Sequence, residues 1–372
     1  MKEVLGNTFK PASDIENNTV ESLAQQWAKK YLQNLQVDTS NPQSYNQLNL
    51  SELLSSSGRE KTAQKIMVSL RSVSAKAWNK TEALLSKEVK RHRIDPNIIN
   101  PWEIAADSFK IYQKALDVYT QQSELRPLSL VIKLAQEDNS LDERVLEDYT
   151  KQVAPNQLAT VIGADMGAIR KKYTSIDPRV IGFVSIQFHY TSQMLIEPLD
   201  SVERSLIGAY FKVIDDHLYM PLQRAYEAAA EHDFDSTVMS AVQQLLPVST
   251  QIAKNICQSV IELYPNYHSL SGRLSDSVVK TSSIRDVEMF QVYLWVCALE
   301  GSIAAVQQEL FPLCVMLYPP LKVEWDLIRH MLHLLGQEIK SRLTPQQANT
   351  LMPYFQALWH MFSPEVFDEL GL

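Results

Sequence analysis

Between Ser283 and Gly301 the apolar positions fall into two parallel stripes. One is Val287, Phe290, Leu294 and Cys297; the other is Met289, Val292, Val296 and Leu299. Both keep the 3-4-3 spacing of an α-helix. Two adjacent stripes leave little polar circumference, which predicts a helix buried over most of its girth rather than one lying on a surface. Single apolar faces follow it: Leu310, Leu313, Cys314 and Leu317, broken by Pro319-Pro320; then Trp325, Ile328, Leu332, Leu335 and Ile339; then Leu351, Tyr354, Phe355, Leu358, Trp359 and Phe362. Upstream, a helix from about Asp177 runs through Val180, Phe183, Val184, Phe188 and Leu195 until Glu197-Pro198 stops it. The next begins near Asp200 and continues through Leu206, Tyr210, Val213 and Leu218, with Pro221 expected inside it as a kink. Residues 238–264, interrupted by Pro247, form another helical tract that leads to a loop at Ser271-Gly272.

The first half is less regular. Residues 1–20 are polar and unpatterned, as in a loose tail, and polar breaks are expected at 38–49 and at Ser55-Ser56-Ser57-Gly58. Residues 64–91 read as one long helix ended by Ile94-Asp95-Pro96. Asn100 is the expected N-cap of the next, with Pro101 at its first position. Ser140-Leu141-Asp142-Glu143 has the pattern of a capping box. The expected architecture is all-α: a tail (1–20), a helical N-terminal region (21–165), and a second domain (166–372). A central buried helix wrapped by five or six others makes that second domain globin-like rather than a simple four-helix bundle.

Composition narrows the functional classes. Glycine is scarce, 10 in 372, which argues against folds built on glycine-rich turns and phosphate loops. Lys plus Arg is 35 against 43 for Asp plus Glu, a net charge of −8 and no footing for a nucleic-acid partner. Cys257, Cys297 and Cys314 form no CxxC pair and sit in apolar settings, so they are expected to be buried reduced thiols. No secretory h-region and no run long enough for a membrane span is visible. A soluble, cytoplasmic protein is the expectation.

One segment carries a resemblance. Ser283-Ile284-Arg285-Asp286, followed in register by Phe290, Gly301, Gln307-Gln308 and Tyr318-Pro319-Pro320-Leu321, resembles the central helix and its sequel in the phycobiliproteins, the bilin-carrying light-harvesting subunits of the phycobilisome in cyanobacteria and red algae. Tyr354-Phe355 matches an aromatic pair of the family's final helix. The stretch from Ile256 to Pro265, with the Ser271-Gly272 loop, is similar to the helix and loop before the family's pigment site. The likeness covers roughly 235–365 and implies a globin-type fold. In the family this helix opens with Cys-x-Arg-Asp, and the cysteine forms a thioether to the bilin because a thiolate is the nucleophile. Here that position is Ser283, so the resemblance implies a phycobiliprotein-type domain with no covalent pigment at the usual site. It also implies that Arg285 and Asp286 stand where the family holds a bilin propionate and the pyrrole N–H groups, a non-covalent tetrapyrrole site. The competing reading is structural: Ser283-x-x-Asp286 is itself a capping-box pattern.

No other motif carries chemistry. Asp215, Asp216 and His217, with His189, Glu203, His232, His330 and His333, lack the Glu-x-x-His pairs of a di-iron bundle, so no metal site is expected. Lys87, Lys90, Arg91 and Arg93, and Arg170-Lys171-Lys172, read as solvated helix ends, with docking to an acidic partner surface as the functional alternative. No catalytic residues can be named. Phe188, Tyr190, Tyr210, Tyr219 and Tyr226 are candidate interface aromatics; the alternative is that they pack onto the N-terminal helices. The expected function is therefore a non-catalytic, phycobilisome-related accessory or regulatory protein of cyanobacterial type. It would act through contacts with an antenna component, a regulator or a second copy of itself, in the cytoplasm or on the cytoplasmic face of the thylakoid. The alternative is a sensor that binds a tetrapyrrole or another apolar small molecule non-covalently, and the third reading is a bilin-handling enzyme.

Overall fold

The computed structural model describes residues 23–24, 26–28, 30–31, 52–53, 55–121 and 154–370. The expected tail, the polar break at 38–49 and the capping box that starts at Ser140 lie outside them. Helix accounts for 82% of the described residues, in thirteen α-helices with short 3₁₀ and π turns. The all-α expectation holds. The strands among the described residues are a two-residue antiparallel pair, His268–Ser269 (β1) and Gly272–Arg273 (β2), which make up the expected Ser271-Gly272 loop.

Helix α1 (Ser56–Arg91) starts earlier than its apolar pattern does, because the Ser55 side chain accepts a hydrogen bond from the Gly58 N–H and caps it. The run Ser55-Ser56-Ser57-Gly58 is thus a helix start and not a break. Helix α2 (Pro101–Gln121) begins as expected, with Asn100 Oδ1 accepting from the N–H groups of Trp102 and Glu103 at 3.1 and 3.3 Å. Helices α3 (Ala154–Thr174), α4 (Val180–Ile196) and α5 (Ser201–Tyr219) follow. Pro221 does not kink a continuous helix. α5 ends at Tyr219 and α6 (Leu222–Ala230) begins beyond the proline, which can neither donate to the preceding turn nor fit beside its carbonyl. Next come α7 (Thr237–Leu245) and α8 (Ser249–Leu263), separated by a 3₁₀ turn at Pro247.

Helix α9 (Ser277–Glu300) is the central one, and every residue of 287–299 is buried, as the double stripe requires. It ends at Gly301, whose left-handed φ of 64° places it as the C-terminal cap. A π-helical turn (Ala305–Leu310) leads into α10 (Phe311–Leu317), then α11 (Trp325–Arg342), α12 (Pro345–Met361) and α13 (Pro364–Leu370). α9 packs against α6, α7, α8, α12 and the π turn, while α4 lies between α1 and α5. One continuous apolar core joins the two groups. It runs from Leu70 and Tyr112 through Phe188 and Phe211 to Phe290 and Leu332.

The α11–α12 contact depends on a close approach at Gly336. A Cβ there would stand 2.5 and 2.6 Å from Cε1 and Cζ of Phe355. Alanine is the better helix former by about 1 kcal/mol, but overpacking a core costs about 1–3 kcal/mol. Gly336→Ala is therefore expected to lower stability in urea unfolding, and a variant more stable than the parent would contradict this packing.

Candidate functional site

Asp286 lies well inside α9, which starts at Ser277 rather than Ser283. The capping-box reading fails for that reason. The early start escaped the sequence pattern because Val279 is the one buried residue of the first two turns, too little to set an apolar period. Asp286 Oδ1 instead accepts a hydrogen bond from Tyr219 Oη at 2.8 Å, and the Arg285 guanidinium stacks over the Tyr219 ring, 4.2 Å from its centroid. Burial raises the Asp286 carboxyl, with Arg285 opposing, and burial beside Asp286 holds the Tyr219 phenol well above its ordinary value. Arg285 and Asp286 are brought together, and a tyrosine from the end of α5 covers both.

Next to this cluster a cavity of about 520 Å³ opens between α4, α5, α8 and α9. Its charges are organised in pairs. Lys212 Nζ reaches both oxygens of Asp216 at 2.8 and 3.0 Å. Lys30, from the N-terminal part of the chain, pairs with Glu288 at 2.9 Å and donates to Ser249 Oγ at 2.6 Å; the Thr250 hydroxyl also donates to Glu288. Burial works to raise the Glu288 carboxyl, but Lys30 and Lys212 outweigh it and hold it below its usual value. For Asp216 burial wins over Lys212 and the carboxyl is raised. Asp215 accepts from Ser192 Oγ at 3.1 Å and faces His189 Nδ1 at 3.3 Å. Lys30 was invisible as a site residue because its partner lies more than 250 positions away.

The interface aromatics largely resolve the other way. Phe188, Tyr210, Tyr219 and Tyr226 are buried, and Tyr190 is half-buried beneath Lys80. Phe188 lies against Tyr112, and Tyr210 meets Tyr119 edge-on at 5.1 Å. These two, Phe188 from α4 and Tyr210 from α5, pack onto the N-terminal helix α2, as the alternative reading had it. Arg170 is a second correction. It is no solvated helix end but a buried crosslink that donates to the Leu218 carbonyl, to Tyr293 Oη at 2.9 Å and to Glu309 at 3.4 Å. Among the described residues no group of three His, Cys, Asp or Glu side chains is placed to hold a metal ion.

A helical bundle around a central helix buried throughout 287–299, with Arg285 and Asp286 in its third turn, defines a globin-like domain. Residues 220–361, which include α6 to α12, match the family model described as Phycobilisome protein, so this part of the chain is a phycobilisome protein domain. No curated protein and no solved structure gives a significant match to the chain. The matched span begins just past Tyr219, so the α4–α5 wall of the cavity lies outside it. No helix among the described residues is long and apolar enough to cross a membrane.

The side chains present do not fit a covalently held bilin. Ser283 offers a hydroxyl where a thiolate is needed, and all three cysteines are buried. Burial pushes the Cys257 thiol up to about 12 and the Cys297 thiol to about 11, and raises Cys314 further, so none presents a thiolate at neutral pH.

His217, buried on α5, donates from Nδ1 to the Val213 carbonyl at 2.9 Å, and burial lowers its pKa to about 4. Between about 4 and the ordinary value of 6.5 the unfolded chain takes up a proton that the folded chain refuses. Stability from this group is therefore lost as the pH falls through that window. His217→Phe is expected to lose about 2 kcal/mol less than the parent between pH 7 and pH 5 in denaturant titrations. Parallel pH curves would contradict a neutral buried imidazole.

Proposed function

We propose that the protein is a non-catalytic accessory or regulatory component of the phycobilisome system of a cyanobacterial-type cell, acting through protein contacts on the cytoplasmic side of the thylakoid. One observation carries the reading. A phycobilisome protein domain retains its buried central helix and the Arg285–Asp286 pair, yet has serine at position 283 and no accessible thiol nearby. A domain that keeps the fold and gives up pigment attachment retains what assembly needs and loses what light absorption needs. The division of the chain into a helical N-terminal region (21–165) and the globin-type domain (166–372) belongs to the same proposal, with the N-terminal helices as the part that distinguishes this chain from an antenna subunit.

The second reading, a tetrapyrrole held non-covalently by Arg285 and Asp286, has in its favour that both charges stand at one turn of α9. Against it, the Tyr219 hydroxyl occupies Asp286 and the Tyr219 ring covers Arg285. The two readings separate on one column. Under the accessory reading the purified chain co-elutes in size-exclusion chromatography with purified phycobilisomes or their isolated phycobiliprotein subunits, and light scattering on the same run reports self-association. Separate elution from every subunit, together with a visible absorption band gained on adding biliverdin, would overturn the accessory reading in favour of the pigment one.

A further inference from the structure

The N-terminal helices bring four of their termini together at one end. α1 ends and α2 begins there, joined by residues 92–100; α3 ends and α4 begins there, joined by residues 175–179. Side-chain contacts hold the two connections side by side. Arg179 donates to the His92 carbonyl at 2.7 Å. Lys172 pairs with Glu103 and Asp107 at 2.7 and 2.8 Å, and the Tyr173 hydroxyl donates to the same Asp107. This end lies wholly outside the span that the family model matches.

Two kinds of side chain collect on it. Trp102, in the first turn of α2, is 85% exposed, and Ile176, in the connection from α3 to α4, is 77% exposed. They are two of the three most exposed large apolar residues among those described. On the same end Lys87, Lys90, Arg93 and Lys171 are exposed, and among the described residues they form no ion pair. The acidic groups nearby are already engaged. Lys172 holds Glu103 and Asp107, Arg179 holds Asp177, the Asn97 N–H donates to Asp95, and Glu88 is buried. A chain with a formal net charge of −8 thus carries unpaired positive charge at this end.

Arg93 points the same way. Its φ of 52° is left-handed, at a position just past a helix end that ordinarily takes glycine. Backbone strain kept at an exposed turn implies a use for the side chain that imposes it. A protruding indole and an aliphatic side chain among lysines and arginine suit the boundary of an anionic bilayer. The headgroup region accepts amphipathic indole rings, and its negative surface potential attracts basic residues. An acidic protein surface would answer the charges, but two apolar side chains on separate connections do not make the contiguous apolar centre of a protein interface.

We propose that this end of the α1–α4 group docks the chain reversibly on an anionic lipid surface. Trp102 and Ile176 enter the headgroup region, and Lys87, Lys90, Arg93 and Lys171 face the lipid charges. The role stands apart from the antenna reading: vesicle binding and co-elution with phycobiliproteins can each succeed or fail alone.

Co-sedimentation of the full chain with vesicles tests it, using phosphatidylcholine alone and phosphatidylcholine containing about one-third phosphatidylglycerol. The mixed vesicles are expected to carry the chain down and the neutral ones to leave it behind, with binding lost as salt is raised. Lys90→Gln and Lys171→Gln should each weaken binding about 5-fold, the value of one basic residue at an anionic surface. Trp102→Ala should weaken it about 10-fold through the lost apolar contact. Arg93→Gly removes the charge and the backbone strain together, so it should bind less tightly while melting no lower than the parent. All these positions are exposed, so each variant is expected to fold. No sedimentation with the mixed vesicles would overturn the proposal and leave the basic residues to an acidic protein. Equal sedimentation with neutral vesicles, or binding indifferent to every variant, would overturn it as well.

Discussion

The burial of α9 is the constraint from which the rest follows. From Val287 to Leu299 the helix is enclosed on all sides, so its polar and aromatic side chains are met largely by partners within the protein. Glu288 draws in Lys30 and Thr250. Gln291 donates to the Ser249 carbonyl at 3.1 Å. Tyr293 takes a hydrogen bond from Arg170, and Trp295 meets Trp27 edge-on at 6.2 Å. Four positions on one helix therefore fix the N-terminal segment, α3 and α8 around it. Removing one member of a buried ion pair costs about 3–5 kcal/mol because the other charge stays behind. The Lys30–Glu288 pair thus ties residues near the start of the chain to the middle of the phycobilisome protein domain.

What the sequence made legible were features with a local cause. The double stripe of α9 and the Asn100-Pro101 start each depend on neighbours within a few positions, and both are present as read. The features that were missed depend on distance. Arg170 looks like a solvated charge, and Lys30 carries no signal at all, until α9 supplies Tyr293 and Glu288. Tyr210 and Tyr219 look available for a partner until α2 and α9 cover them. The first two turns of α9 were hidden for the opposite reason, since a segment with one buried residue has no apolar period to detect.

Tyr219 stands at the junction that gives the chain its character. It closes α5 immediately before the span that matches the phycobilisome protein family, and it turns back onto Asp286 and Arg285 within that span. The same turn of α9 thus gives both Asp286 and Arg285 to the chain's own tyrosine, while Arg285 also lines the cavity between α4, α5, α8 and α9. Tyr219 closes this turn of α9 with the chain's own side chain, while position 283 carries a serine.

The intact mass of the chain after co-expression with bilin synthesis tests this account most directly, because covalent attachment depends on a reactive thiol and an accessible pigment face together. The account predicts the mass of the unmodified polypeptide. A mass increased by one bilin would show that a thiol placed here in the core reaches the pigment, and would contradict it.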